Sequence, residues 1–278
     1  MTNYLIGSQG RLGQAIFSDF ANDDIVCLER SVYKDWSLSA SVNQISKYFE
    51  SHTNETSTVI VASGLLDPTL ATDDLLSVNY MLPKNVIDGA TKLGIRVITF
   101  GTVMEELMPS KNAYVQSKTF LNEHVRAMAD KNNSVVHVQL HTLYGGKDQP
   151  SPFMFLGRIL SALENNTVFK MTSGRQLREY HHLLDEVKAI REIADKQSSG
   201  VMNLSHSKPV TLKSVAQNVF SAFEKDHLLQ IGALPEPPDE NYDKTFQQTG
   251  VTMQIDFRDS LPAIIDYMKS CYVYKAPT

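Results

Sequence analysis

Short apolar, β-branched runs alternate along the chain with longer segments whose apolar side chains recur every three to four positions. Tyr4-Leu5-Ile6 is the first run, and Leu12, Ala15, Ile16 and Phe20 follow it at helical spacing. Further strands are predicted at 25–28, 58–62, 95–100 and 134–140, and helices at 42–49, 75–93 and 118–129. A strand covered on both faces reads as a continuous apolar run, whereas an amphipathic helix reads as a stripe. Their regular alternation predicts an α/β fold, a doubly wound parallel sheet with helices on both faces.

The alternation weakens after about residue 145. Helical pieces remain at 159–163, 183–194 and 210–223. Residues 232–243, with Pro235, Pro237 and Pro238, suit neither a helix interior nor a central strand and are expected as an exposed loop. A last helix is expected at 260–267, with Pro262 in its first turn. The expected organisation is a nucleotide-binding domain at 1–145 and a smaller C-terminal substrate lobe at 146–278, partly interleaved with it. The chain has no internal repeats and no low-complexity segments.

Composition narrows the function. The 278 residues are 42% hydrophobic and 21% charged, with a net charge of -5. Basic residues are scattered, so no nucleic-acid partner is expected. Cys27 and Cys271 are too few for a disulfide framework or a thiolate zinc site, and Cys27 reads as a small core residue. No basic stretch leads into a long apolar one at the N-terminus, and no apolar run is long enough to span a bilayer. A cytoplasmic protein with no membrane partner is expected.

Gly7-Ser8-Gln9-Gly10-Arg11-Leu12-Gly13 follows the first strand and opens the first helix. Glycines at these spacings allow a tight turn, close approach of a pyrophosphate to the backbone, and close packing of helix on sheet. The helix N-terminus then aims free N–H groups at the phosphates. An ordinary strand-to-helix turn is the plainer alternative. At the end of the second strand, Glu29 could accept from ribose hydroxyls, favouring NAD, and Arg30 could pair with a 2′-phosphate, favouring NADP. The acidic residue leans toward NAD. Asp35 is a further cofactor-side candidate in this segment.

Tyr114 and Lys118 stand four apart, on one face of a helix. A phenol transfers protons poorly at neutral pH, and a neighbouring ammonium would stabilise its anion. Taken alone, the pair could equally be surface residues.

Together, Gly7, Gly10 and Gly13, Thr102 after its strand, and Tyr114 with Lys118 resemble the extended short-chain dehydrogenase/reductase family, also called the NAD-dependent epimerase/dehydratase family. Other segments fall in the family's order: Ala62-Ser63-Gly64, Val78-Asn79, Leu143-Tyr144-Gly145 and Arg178-Glu179-Tyr180-His181-His182. The resemblance covers nearly the whole chain. It implies a Rossmann-type fold and NAD or NADP as cofactor. Ala62, Ser63, Gly64 and Asn79 would lie beside the cofactor, and Lys118 would hold its ribose. Tyr114 would be the acid/base, Thr102 would bond the reacting oxygen, and Arg178 would contact the diphosphate of a nucleotide-sugar substrate.

Dehydration needs extra acid/base groups, which that subgroup draws from a Thr-Asp-Glu triplet. Here the run is Thr102-Val103-Met104, with Glu105 and Glu106 at the wrong offset, so dehydration is disfavoured. Arg30 beside Glu29 and the glycine turn look most like the dTDP-4-dehydrorhamnose reductase branch, which implies reduction of a 4-keto-6-deoxy nucleotide sugar. A 4-epimerase with bound NAD and a non-catalytic NAD(P)-binding regulator are the alternatives. Gln139 and Thr142 replace the family's usual Arg and Asn, and His181 replaces an apolar residue. His181 and His182 are expected as packed residues without a metal constellation, and no metal is expected. In the family, helices like 74–93 and 114–129 often form a dimer interface, so a homodimer is implied, with Leu75, Val78, Leu82, Val86 and Phe120 facing either a partner or the sheet.

Overall fold

Apolar runs become strands where helices cover both faces of the sheet. In the computed structural model, which describes residues 2–21, 24–52, 57–108, 112–131, 134–196, 198–237 and 239–273, six parallel strands form the main sheet. They are β1 (Thr2–Ile6), β2 (Asp24–Cys27), β3 (Thr58–Val61), β4 (Arg96–Thr102), β5 (Val135–Leu140) and β6 (Gly200–Asn203), in the spatial order β6-β5-β4-β3-β1-β2. β3 and nearly all of β4 and β5 are buried, as continuous apolar runs require. β2 is an edge strand paired only with β1, so Val26 is exposed and Cys27 only half-buried rather than a core residue.

The chain divides into two compact units. One comprises Met1–Leu140 with Val187–Leu204, and the other His141–Glu186 with Ser205–Thr278. The first holds the whole main sheet, because the chain returns to it to add β6. Its helices are α1 (Arg11–Asp19), α2 (Arg30–Tyr33), α3 (Val42–His52), α4 (Thr72–Leu76), α5 (Leu82–Ala90), α6 (Met104–Leu107) and α7 (Ala113–Ala129), together with most of Leu183–Asp195. Its core includes Tyr4, Trp36, Ile45, Phe49, Val59 and Val86. Leu75, Leu82 and Val86 are buried within the chain itself, while Val78 and Phe120 are half-buried.

One departure from the predicted helices shapes the site. The helix expected at 75–93 is present but widens at a π-type turn, Ser77–Met81, between α4 and α5. Pro83 explains it. A proline has no N–H to return to the carbonyl four residues back, here that of Asn79, and its ring crowds that carbonyl. The helix expected to carry Tyr114 and Lys118, α7, begins at Ala113, where the Asn112 side chain accepts from Val115 N at 2.9 Å and caps it. Tyr114 therefore sits in the first helical turn.

The second unit has its own core, including Tyr144, Leu160, Phe169, Phe220, Ile264 and Met268. Three two-stranded sheets border it, one of them pairing Thr142–Tyr144 with Tyr180–His182 in parallel. Val210–Thr211 is a short strand, and the helix starts only at Leu212, where the Thr211 hydroxyl caps it. The described residues of 232–243 form no helix or strand, as expected of a proline-rich loop; Pro238 lies outside the described residues.

Candidate active site

The order β3-β1-β2 puts the reversal of strand order beside β1, the place where open α/β sheets leave a crevice at their carboxyl ends. The segments after β1 and β3 meet there. Gly7 adopts φ +86°, and a Cβ on it would stand 2.5 Å from Ser63 N and 2.8 Å from Ala62 C. A Cβ on Gly13 would stand 2.1 Å from Gly7 O. Gly10 caps the start of the nine-residue α1 with no side chain of its own. Gln9, Arg11 and Leu12 complete the turn. Such a tight turn, leading into a helix N-terminus, fits a dinucleotide pyrophosphate. Glu29, Arg30 and Asp35 are exposed beyond β2, with Glu29 preceding α2.

The wide turn turns Asn79 inward, where it is fully buried. Its Oδ1 accepts from Leu65 N at 2.8 Å, and its Nδ2 donates to Leu65 O at 2.9 Å and Ser117 Oγ at 3.2 Å. One side chain thus joins the segment after β3 to α7. A Cβ on Gly64 would stand 3.4 Å from both Asn79 Oδ1 and Lys118 Nζ. Gly64, Asn79 and Lys118 therefore meet. Lys118 is buried, and its ammonium donates to Phe100 O at 2.9 Å. Burial pulls the Lys118 pKa down to about 8, with the nearby Glu105 carboxylate opposing.

Thr102 ends β4, and its side chain lies near enough to the Tyr114 hydroxyl to pull the phenol's pKa down. The expected acidification of the phenol does not appear. Burial first, then the charge of Glu105, raises the Tyr114 pKa above its usual value, and the Thr102 side chain offsets this only in part. Glu105, set aside in the sequence because of its offset, is the residue that sequence reasoning missed. It turns inward beneath Gly101, where a Cβ would meet its Oε1 and His137 Nε2, each at 2.1 Å. A signal was present: His137 and Gln139 are polar, two apart, in a strand that is otherwise apolar and buried on both faces.

In the second unit, Arg178 ends the short strand Leu177–Arg178. Its guanidinium donates to Leu177 O at 2.8 Å and pairs with Glu240 at 2.5 Å. The histidines also depart from expectation, because the fold brings His141 and Glu179 to His181. Atoms of these three able to ligate a metal lie within 4.8 Å of one another. The geometry nevertheless favours an ion-paired ring. His141 and His181 stack at 4.7 Å and 20°, so their in-plane lone pairs run side by side instead of converging. His181 Nδ1 lies 2.7 Å from Glu186 Oε2, and its Nε2 lies 3.3 Å from Glu179 Oε2. Burial works against the charged ring, but the two carboxylates outweigh it and lift His181 to about 9. Burial likewise opposes the Glu179 charge, yet bonds from His181 and Ser205, with the nearby His141 and His206, hold it to about 2.

Residues 4–205 match the NAD dependent epimerase/dehydratase family. No curated protein matches the sequence. Among solved structures, the UDP-N-acetylglucosamine 4-epimerase of Methanobrevibacter ruminantium is 14% identical, with a TM-score of 0.76 over 97% of both chains. The UDP-glucose 4-epimerase of Thermotoga maritima is 12% identical, with a TM-score of 0.77 over 97% of this chain and 98% of its own. A dTDP-4-dehydrorhamnose reductase from Clostridium acetobutylicum is 15% identical, with a TM-score of 0.72 over 97% and 99%. At these identities the likeness is one of fold, a Rossmann-type parallel sheet flanked by helices.

Proposed function

We propose a function from one premise: this chain belongs to the NAD dependent epimerase/dehydratase family, whose match spans residues 4–205. The reading is an NAD(P)-dependent oxidoreductase that reduces the 4-keto group of a 6-deoxy nucleotide sugar. The observation that carries it is Tyr114, with Thr102 near its hydroxyl, on the helix that also brings Lys118 to Gly64 and Asn79.

The amides of the Gly7–Gly13 turn and of the α1 N-terminus bind the cofactor's pyrophosphate. Lys118 holds its ribose end, and Asn79 ties the segment after β3 to α7 beside it. When bound, NAD(P)H supplies the hydride. Thr102 bonds the substrate carbonyl oxygen and Tyr114 donates a proton to it, which with the hydride on carbon yields the alcohol. Lys118 offsets the negative charge left on the phenol. Arg178 holds the substrate's diphosphate. Reduction is preferred to dehydration because neither Val103 nor Met104 can move a proton.

The test is turnover of a 4-keto-6-deoxy nucleotide sugar with NADH or NADPH by wild type and Tyr114→Phe. The expected result is a loss of about 100-fold or more in kcat with cofactor binding retained. An unchanged rate overturns the assignment. Epimerisation at the same site is the second reading, supported by the 4-epimerases among the fold's neighbours. It would show as interconversion of UDP-sugars with tightly held NAD and no net NADH consumption. A homodimer would use the half-buried Val78 and Phe120 on its helices.

A further inference from the structure

The proposed reaction assigns no part to a carboxylate, yet the fold buries one against the backbone of Thr102. The Glu105 side chain is 2% exposed. Its Oε1 accepts from Thr102 N at 2.6 Å and lies 3.3 Å from His137 Nε2. Its Oε2 accepts from Asn122 Nδ2 at 2.7 Å and Gln139 Nε2 at 3.3 Å. Asn122 is held in turn by Arg126 Nε at 2.8 Å. Burial works against an ionised Glu105, but its bonds to His137, Asn122 and Thr102 outweigh it and keep the carboxyl below its usual range.

The donors span three elements. Thr102 ends β4, His137 and Gln139 lie on β5, and Asn122 lies on α7, two turns beyond Tyr114. The carboxylate therefore fixes the strand end that carries Thr102 to the helix that carries Tyr114 and Lys118. The charged and titratable groups facing it are His137 from β5, Lys118 and Tyr114 from α7, and Arg126 through Asn122. A buried negative charge beside a phenol penalises the phenolate. A neutral phenol can donate a proton but cannot withdraw one.

We propose that Glu105 is a positioning residue for Thr102 and Tyr114, a buried fixed charge that clamps the Thr102 backbone and keeps Tyr114 a proton donor, so that the site favours carbonyl reduction over alcohol oxidation. This rests on the reading of Thr102 and Tyr114 as the acid/base pair. Keto reduction starts from the neutral phenol. Epimerisation must first oxidise an alcohol, which starts from the phenolate. Glu105 thus bears on which of the two readings the site suits.

The experiment follows the Tyr114 resonance by NMR against pH in the full chain labelled at tyrosine Cζ, assigned with Tyr114→Phe. In wild type, Tyr114 is expected to stay neutral to at least pH 10. In Glu105→Gln its ionisation constant should rise at least tenfold. Should Gln fail to fold, Glu105→Met removes the charge while filling the space, with the same expectation. A wild-type midpoint below 10, or a folded Gln or Met variant whose midpoint does not fall, overturns the proposal. A merely structural Glu105 would lower the melting temperature and leave the midpoint in place, which also overturns it. A chain that neither binds NAD(H) nor turns over would sink the functional reading, and the titration would separate that failure from this one.

Discussion

Asn79 pairs with both main-chain groups of Leu65, accepting from its N–H at 2.8 Å and donating to its carbonyl at 2.9 Å, as a neighbouring strand would. The segment after β3 has no strand beside it at that point, so a buried amide takes the place of one. Replacing Asn79 with Leu strands both backbone groups and the Ser117 contact. The expected cost is about 1–3 kcal/mol in urea denaturation, with weaker NAD(H) binding. Asn79→Asp keeps the acceptor and loses the donor, so its stability should fall between wild type and Leu. Equal stability of all three would refute the bridge.

Gly13 and Gly10 separate packing from ligand approach. A Cβ at Gly13 meets Gly7 O at 2.1 Å, and backbone must shift to admit it. At Gly10 the same atom would be 3.6 Å from Gly7 O, an ordinary contact, and φ is -74°. Gly13→Ala should lose about 1–3 kcal/mol of stability together with dinucleotide binding. Gly10→Ala should keep its melting temperature and lose affinity for NAD(H) alone. Fluorescence titration of NADH, paired with thermal unfolding, checks the contrast.

The parallel sheet was legible because β3, β4 and β5 are covered on both faces and so carry uninterrupted apolar runs. β6 was not recognised, since its four residues are only half-buried and its one strand partner, β5, lies far away in sequence. The glycine turn could be read because its geometry is local. The wide turn at Asn79 was hidden by apolar periodicity that continues through it, although Pro83 marked the place. Glu105 was judged by its offset from Thr102. What matters is the hollow under Gly101 and the donors His137 and Gln139, which only the pairing of β4 with β5 brings together. The same holds for His141, Glu179, Glu186 and His206, which are scattered along the chain and gathered by the fold.

The His181 cluster makes stability depend on pH in a direction that can be worked out. His181 rises from 6.5 to about 9 on folding, so its contribution is complete below 6.5 and is lost as pH climbs through 9. Glu179 falls from 4.5 to about 2, so its share is present above 4.5 and lost as pH drops through 2. Both act in full between 4.5 and 6.5. The loss from pH 6.5 to 9.5 should be on the order of 3 kcal/mol, shared between coupled groups. In His181→Gln, the slope of unfolding free energy over that range should flatten and overall stability should drop, because two buried carboxylates lose their cation. A wild-type profile already flat from 6.5 to 9.5 would contradict the ion-paired ring.

Arg178 already commits part of its guanidinium to Glu240. The two side chains are 13% and 22% exposed, so their pairing is partly screened and modest in strength. On the proposed reading, the carboxylate competes with the phosphates for one guanidinium. Glu240→Gln keeps the shape and removes the competing charge. It should therefore tighten binding of a nucleoside diphosphate such as dTDP or UDP by about two- to fivefold, with the larger gain at low ionic strength. Arg178→Ala should weaken the same binding at least tenfold, as loss of a charge-assisted contact requires. Calorimetric titration of wild type and the two variants settles it: if removing Glu240's charge leaves affinity untouched while removing Arg178 abolishes it, the guanidinium binds the diphosphate without first leaving its carboxylate.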